Sequence, residues 1–140
     1  MTSHPRDVTP DEAARLLEAD AAITYVDVRS TGEYTNGHVP GSINVPLAEP
    51  DPMRGMAPNP DFVGVMTKLF RTDQCLIVGC ASGGRSRQAV SVLAEAGFTS
   101  LINMAGGFSG QGGTRGWSQL GLPVSRDGTR YADARKRAGL

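Results

Sequence analysis

Cys80 stands where a thiol can do chemistry. It follows the apolar run 75–79 and opens the loop Cys80-Ala-Ser-Gly-Gly-Arg-Ser86. Consecutive glycines allow a tight turn that points amide N–H groups inward, and the helical pattern that follows adds the positive end of a helix dipole. Helix N-termini and nearby arginines favour the thiolate form of a cysteine, which is its nucleophilic form. The loop therefore predicts a reactive thiolate at Cys80.

The second cysteine, Cys75, has a different predicted role. If the chain between the two is extended, about five steps of 3.3 Å separate them by about 16 Å, beyond the roughly 7 Å Cα limit for a disulfide. Two cysteines in 140 residues also make no disulfide framework. We therefore expect Cys75 to be a small buried hydrophobe and Cys80 to be a free thiol.

Composition narrows the class of protein. A chain of 140 residues fits a single domain covering 1–140. Its 14 basic and 14 acidic residues cancel, which argues against nucleic acid or a membrane surface as partner. No apolar stretch approaches a membrane span, and the opening 1–7 lacks the apolar core of a signal peptide. We expect a cytoplasmic protein that acts on small molecules and needs no metal or cofactor.

The chain alternates helical and strand patterns. The first predicted helix covers 10–20 and is capped by Thr9, and the second is a short turn capped by Ser30. A third helix is predicted over 62–70 with Asn59 or Asp61 as its cap, and a fourth around 89–94 that stops at Gly97. The predicted strands cover 23–28, 43–45, 75–79 and 100–103. Prolines make 47–60 an expected irregular surface connection, and 125–140 reads as an exposed, polar, basic tail beyond a core of about 8–124. This order indicates an α/β sandwich with a mainly parallel central sheet, whose carboxyl strand ends hold the ligand.

Several segments together resemble the rhodanese family of sulfurtransferases, especially its small single-domain members of the plant thiosulfate sulfurtransferase type. Asp27-Val-Arg29, then Glu33-Tyr34 with 37–46, resemble the family's N-terminal signatures, and Cys80–Ser86 is similar to its active-site loop. The closing pattern agrees at 97–98, 103–107, 116–117 and 121–123, so the likeness spans roughly 8–124. It implies a rhodanese-like three-layer sandwich with helices on both faces of the sheet.

The resemblance also implies a reaction. The Cys80 thiolate attacks the outer sulfur of thiosulfate or a related donor, expels sulfite, and passes the persulfide sulfur to a thiophilic acceptor such as cyanide or a thiol. The protein would then be a thiosulfate sulfurtransferase. Arg85 is expected to bind the departing oxyanion, and the other loop groups to bind the anionic donor and the persulfide. Those other loop residues are Ala81, Ser82, Gly83, Gly84 and Ser86.

Residues outside the loop are expected to support it. Arg29 either pairs with Glu33 or Asp27 at the base of the loop or contacts substrate directly. Asp27 is expected to hold the loop, and His38 to serve the framework through hydrogen bonds rather than to act as a base. Within the loop, Ser86 either bonds the persulfide or caps the following helix.

Other functions on the same fold stay open. Cysteine-dependent phosphatases and arsenate reductases also hold an anion in a cysteine loop, but phosphatases place one more residue between cysteine and arginine than the four between Cys80 and Arg85. Gly79 also stands where phosphatases usually carry histidine. A noncatalytic binding module usually lacks the cysteine. A persulfide carrier that relays sulfur between proteins has the same sequence signature as a thiosulfate enzyme.

Overall fold

A parallel five-stranded sheet forms the centre of the computed structural model, which describes residues 5–140. Met1–His4, part of the opening segment on which the cytoplasmic expectation rests, lie outside the described residues. The strands are β1 (Arg6–Val8), β2 (Thr24–Asp27), β3 (Ile43–Asn44), β4 (Ala48–Asp51), β5 (Gly55–Pro58), β6 (Leu76–Gly79) and β7 (Leu101–Met104). The helices are α1 (Pro10–Ala19), α2 (Thr31–Thr35), α3 (Phe62–Leu69), α4 (Gly84–Glu95) and α5 (Tyr131–Arg137).

The sheet order is β1-β7-β6-β2-β3, with every neighbouring pair parallel. The predicted strands of the sheet are confirmed within a residue or two, and β1 is an edge strand that the sequence did not reveal. Its three residues pair with β7 along Arg6↔Ile102 to Val8↔Met104. So short a run carries no alternation long enough to be recognised before its partner is known.

Helices cover both faces of the sheet, which confirms the three-layer sandwich. Val26, Leu76 and Val78 pack into the hydrophobic cluster that holds residues of α3, α4 and α5. Tyr25 and Ile77, which point the other way, pack into the cluster that includes α1. Because strands covered on both faces read as continuous apolar runs, β2 and β6 lack the alternation of a half-exposed strand.

The predicted helix starts are correct in position but not in every cap. Thr9 forms a capping box with Glu12, so α1 begins as expected. At α3, Asp61 occupies the N-cap position without a side-chain cap, and Asn59 accepts the Asp61 N–H through Oδ1 at 3.0 Å. Asp61 is therefore the N-cap residue, as one of the two predicted alternatives, but its side chain makes no capping hydrogen bond.

The segment 47–60 is not irregular, because β4 and β5 form an antiparallel hairpin in it. Their register runs from Ala48↔Pro58 to Asp51↔Gly55. At the turn, Oδ1 of Asp51 accepts the N–H groups of Met53 at 2.8 Å and Arg54 at 3.2 Å. Both members of a two-stranded sheet are edge strands, so prolines that would disrupt a central strand are tolerated here.

The expectation of an exposed tail over 125–140 is also wrong. The segment contains α5, and both Ala134 of this helix and its C-cap residue Ala138 lie in the same hydrophobic cluster as residues of α3. Before the helix, the Thr129 carbonyl accepts the Asn44 N–H of β3 at 2.9 Å. Ala134, Ala138 and the partly buried Tyr131 pack on this cluster, while most other residues of the segment are polar or basic, so its composition does not reveal the helix.

Candidate active site

The predicted site residues gather at the carboxyl end of the sheet. Asp27 ends β2, Cys80 follows β6, and the turn containing Gly106 and Gly107 follows β7. Since β2, β6 and β7 lie side by side and run in one direction, their ends bring these segments together.

The Cys80 sulfur lies at the N-terminus of α4. The residue is 1% exposed, and Sγ accepts the backbone N–H of Gly83 at 3.0 Å and that of Ser86 at 3.3 Å. Gly83 is the N-cap residue, with φ of 115°, a left-handed conformation that glycine adopts without penalty. The sulfur thus takes the position of a capping side chain, where N–H groups and the helix dipole favour a negative charge.

Ser86 does not cap α4, because Gly83 holds the N-cap position without a side-chain cap, and a bond from Ser86 to a persulfide stays a prediction. Ser86 is fully buried, and its hydroxyl donates to the Gly83 carbonyl at 3.1 Å. The same Oγ lies 3.6 Å from the Cys80 Sγ. A hydroxyl can rotate its hydrogen from one acceptor to the other, so Ser86 can support the turn at rest and donate to a thiolate.

The remaining loop residues lie around the sulfur less directly. Ala81 is partly buried, whereas Ser82 and Gly84 are exposed. Within residues 5–140, the backbone N–H groups bonded to Sγ are those of Gly83 and Ser86. The sequence predicted that groups from the whole loop would surround the sulfur, whereas these two N–H groups are the backbone donors to the unmodified thiol in this part of the chain.

A glycine turn after β7 supports the back of the loop. The N–H groups of Phe108 and Ser109 donate to the carbonyls of Cys80 and Ala81, each at 2.8 Å. A Cβ at Gly107 would lie 2.5 Å from both carbonyl oxygens, so the turn approaches this closely only because that position is glycine. The sequence indicated these glycines as a family signature but not what they contact.

Tyr25 explains why glycine precedes Cys80. A Cβ at Gly79 would overlap the Tyr25 hydroxyl, which lies against this face of β6. Tyr25 is 2% exposed, and burial, which disfavours the phenolate, raises its pKa well above the usual value. The position that carries histidine in phosphatases therefore has no room for a side chain here.

Arg85 forms a bidentate ion pair with Glu33. Its two terminal nitrogens donate to the two carboxylate oxygens at 2.7 and 3.0 Å. Glu33 also accepts the Ser30 N–H at 3.2 Å and its hydroxyl at 2.9 Å as part of the α2 capping box. The Arg85 guanidinium is the main cause that lowers the pKa of Glu33 to about 2, and the hydrogen bonds from Ser30 lower it further. Burial acts in the opposite direction but is outweighed by the bond to Arg85. The sequence missed this pair because its members are 52 residues apart.

Arg29 pairs with Asp27 and not with Glu33. Both residues are buried, and the guanidinium donates to both Asp27 carboxylate oxygens, with a shortest distance of 2.7 Å. It also donates to the Gly37 carbonyl at 2.8 Å, and its carbon lies 4.5 Å from the centre of the Phe108 ring. These contacts favour the loop-support role over direct contact with substrate.

His38 lies in a framework of backbone contacts. Its ring is stacked on Tyr34 at 3.7 Å, its Nδ1 lies 2.7 Å from the Tyr34 carbonyl, and its Nε2 lies 3.0 Å from the Asp127 carbonyl. Its backbone pairs with Ser125 in both directions. With both ring nitrogens engaged and 1% of the residue exposed, His38 joins α2 to the segment before α5. That placement agrees with the predicted structural role.

Comparison with known proteins gives the same family from independent observations. The family model described as a rhodanese-like domain matches residues 9–114. Thiosulfate sulfurtransferase 16, chloroplastic, of Arabidopsis thaliana is 41% identical over 100 residues, which are 71% of this chain and 78% of that protein. Rhodanese-like domain-containing protein 15, chloroplastic, of the same plant is 37% identical over 115 residues, which cover 82% of this chain but only 59% of that protein.

Solved structures agree. The crystal structure of Rv0390 from M. tuberculosis is similar with a TM-score of 0.73 and 29% identity, covering 89% of this chain and all of that one. The match of the family model takes in both the strand that ends at Asp27 and the Cys80 loop. The chain belongs to the family of rhodanese-like domains.

Proposed function

We propose that this protein is a thiosulfate sulfurtransferase that carries sulfur as a persulfide on Cys80. Sulfur transfer in general follows from the family, and the donor and the carrier residue are the steps added here. One observation supports the proposal most: Sγ of Cys80 caps α4 and accepts two backbone N–H groups, which favours a thiolate without a general base.

The chemistry uses two displacements on sulfur. The Cys80 thiolate attacks the outer sulfur of thiosulfate, the S–S bond breaks, and sulfite leaves with the bonding electron pair. Cyanide then attacks the outer sulfur of the persulfide, giving thiocyanate and restoring the Cys80 thiolate. The N–H groups of Gly83 and Ser86 stay in place throughout, so they stabilise the negative charge with little reorganisation.

Arg85 is the proposed binding group for the sulfonate oxygens of the donor. A guanidinium has five N–H donors, and two of them bond Glu33 in the described part of the chain. The ion pair fixes the direction of the side chain and leaves donors for an anion. This role is compatible with the ion pair and does not require it to break.

The test compares the two cysteines. Cys80→Ser is expected to abolish transfer from thiosulfate to cyanide, whereas Cys75→Ser keeps it, because Cys75 packs beside the cluster on the α1 face of the sheet. Intact mass after incubation with thiosulfate should rise by one sulfur atom in the wild type and not in Cys80→Ser. Equal loss of activity in both variants would contradict the assignment.

Parallel assays separate the alternatives. Turnover with a cysteine desulfurase as donor that greatly exceeds turnover with thiosulfate would favour a protein-to-protein persulfide carrier. Hydrolysis of an aryl phosphate or reduction of arsenate would favour the phosphatase-type chemistry.

The cellular location also stays a proposal: a reducing compartment such as the cytoplasm would keep the Cys80 thiol free. Among residues 5–140, no helix is both long and apolar enough to cross a bilayer.

A further inference from the structure

Gln111 approaches the Cys80 loop from a segment that has no role in the proposed reaction so far. Its side-chain oxygen lies 3.5 Å from the point that a Cβ on Gly83 would occupy. Gly83 is the residue whose N–H bonds the Cys80 sulfur at 3.0 Å. It is buried, although Ser82 and Gly84 on either side of it are exposed. Gln111 is therefore one of the groups that lie against this buried glycine.

The backbone around Gln111 fixes the position from which its side chain starts. Gln111 and Thr114 exchange two backbone hydrogen bonds of 3.0 Å each, which close a short turn over the two glycines between them. The N–H of Gly110 donates to the Gly106 carbonyl at 2.8 Å, so the turn is tied to the segment that follows β7. The Gln111 side chain itself is exposed. It is therefore open to solvent at a place that the paired backbone holds beside the Cys80 loop.

A small bound ion can span the gap between this amide and the sulfur. The Cys80 Sγ lies 3.0 Å from the Gly83 nitrogen, and two bonds of about 1.5 Å connect that nitrogen to the point near Gln111. The Gln111 oxygen and the Cys80 sulfur are therefore at most about 9.5 Å apart. The contact between two sulfur atoms, the length of a thiosulfate ion and a hydrogen bond of about 2.9 Å together cover a separation of this order.

Two polar side chains reach the Cys80 loop from different sides. The loop follows β6, which lies between β2 and β7 in the sheet. Arg85 pairs with Glu33 of α2, which follows β2, whereas Gln111 belongs to the segment that follows β7. A sulfonate group above the sulfur would therefore have a guanidinium on one side and an amide on the other.

We infer that Gln111 binds the sulfur donor, and that its side-chain amide donates a hydrogen bond to a sulfonate oxygen of thiosulfate while the outer sulfur faces Cys80. The inference rests on the proposed function and adds a donor-binding residue to it. An amide has two N–H donors, and a half-turn about its last bond exchanges the oxygen and the nitrogen. An N–H of Gln111 can therefore occupy the place where its oxygen now lies.

The hydrogen bond acts on the group that leaves. When the Cys80 thiolate attacks the outer sulfur, the S–S bond of thiosulfate breaks and its electron pair leaves with sulfite. The bonded oxygen is part of that sulfite, so the Gln111 amide holds the leaving group and not the sulfur that stays on Cys80. Loading of Cys80 by thiosulfate should therefore depend on Gln111, whereas removal of the sulfur by cyanide should not.

The experiment measures these two half-reactions separately. Persulfide formation is followed as sulfite released and as sulfur mass gained by the protein, and persulfide discharge as thiocyanate formed from cyanide. Gln111→Ala should lower the second-order rate constant for loading by thiosulfate about tenfold, because a hydrogen bond to an anion is lost. Its rate constant for discharge by cyanide should equal that of the wild type. Loading of Gln111→Ala at the wild-type rate would overturn the inference.

A second glutamine supplies the matched control. Gln88 is also exposed, but it faces the cavity between α3, α4 and the β4–β5 hairpin, so Gln88→Ala should be loaded at the wild-type rate. Gln111→Lys, which keeps N–H donors, should be loaded faster than Gln111→Ala, and Gln111→Glu, which repels the donor, more slowly. The inference is wrong if Gln88→Ala slows loading as much as Gln111→Ala, or if Gln111→Lys is loaded no faster than Gln111→Ala.

Failure of the inference and failure of the proposed function look different. If thiosulfate adds no sulfur to Cys80 of the wild type, the proposed function fails and the inference fails with it. If the wild type is loaded and Gln111→Ala is loaded equally fast, only the role of Gln111 fails.

Discussion

Replacing Glu33 by glutamine tests the ion pair that holds the Cys80 loop to α2. Glutamine keeps an oxygen that can accept from Arg85 and Ser30 but removes the negative charge. A pKa lowered from 4.5 to about 2 corresponds to roughly 3.4 kcal/mol at 1.36 kcal/mol per pKa unit. The Glu33 side chain is 37% exposed, so solvent screening reduces the stabilisation to about 1–2 kcal/mol.

The sign of the pH dependence follows from the lowered pKa. The folded protein binds the Glu33 proton more weakly than the unfolded chain, so the stabilisation is complete well above pH 4.5 and is lost as the pH falls towards 2. We expect Glu33→Gln to lower the free energy of unfolding by about 1–2 kcal/mol at pH 7, with under half of this difference left by pH 3.

Urea unfolding of the wild type and Glu33→Gln at several pH values between 7 and 3 measures this difference. Asp73→Asn is the matched control, because its partner Arg71 lies at 2.8 Å but both side chains are more than half exposed. We expect that control to match the wild type within error. The reasoning is refuted if Glu33→Gln is as stable as the wild type at pH 7, or if its deficit does not shrink as the pH falls.

Three further substitutions test other contacts. Gly79→Ala should lower the free energy of unfolding by about 1–3 kcal/mol because its methyl group overlaps the Tyr25 hydroxyl, and adding Tyr25→Phe should recover part of the loss. A Gly79→Ala variant as stable as the wild type would contradict this packing. Ala134→Asp should lower the free energy of unfolding in urea by roughly 2–4 kcal/mol because it buries a charge, whereas Ala132→Asp on the exposed side of α5 should not lower it. If Ala134→Asp is no less stable than Ala132→Asp, the segment 125–140 is an exposed tail after all. Ser86→Ala should lower kcat/KM with thiosulfate about tenfold because it removes a donor to the thiolate, whereas Ser86→Thr should retain most activity. An unchanged kcat/KM in Ser86→Ala would show that the hydroxyl has only a structural role.

Local interactions made much of the molecule predictable. The Thr9 and Ser30 caps join residues three apart, so their signals lie within a few letters of sequence. The Cys80 loop is equally local, because the sulfur and both N–H groups that it accepts come from one segment of seven residues, 80–86. Patterns of this kind depend little on the rest of the fold.

Contacts between distant segments were not predictable. Arg85 and Glu33 meet only because β2 and β6 are neighbours and α2 follows the end of β2. The exclusion of a side chain at Gly79 depends likewise on Tyr25, which reaches it across the same pair of strands. Sequence analysis assigned Glu33 a supporting role and left Glu33 and Asp27 as alternative partners of Arg29, because the three residues lie close together in the sequence. Only the strand order shows that Arg85, and not Arg29, lies beside Glu33.

The two arginines divide the electrostatic work of the site. Arg29 is buried against Asp27 and supports the loop from behind, whereas Arg85 is held by Glu33 and is partly exposed. Neither guanidinium is among the groups that bond the Cys80 sulfur, whose recorded N–H donors are backbone amides. Backbone dipoles at the start of α4 can therefore stabilise the thiolate whether or not substrate is bound. Arg85 has N–H donors that its ion pair with Glu33 does not use. Under the proposed function, backbone groups would therefore activate the nucleophile and Arg85 would bind the anionic donor.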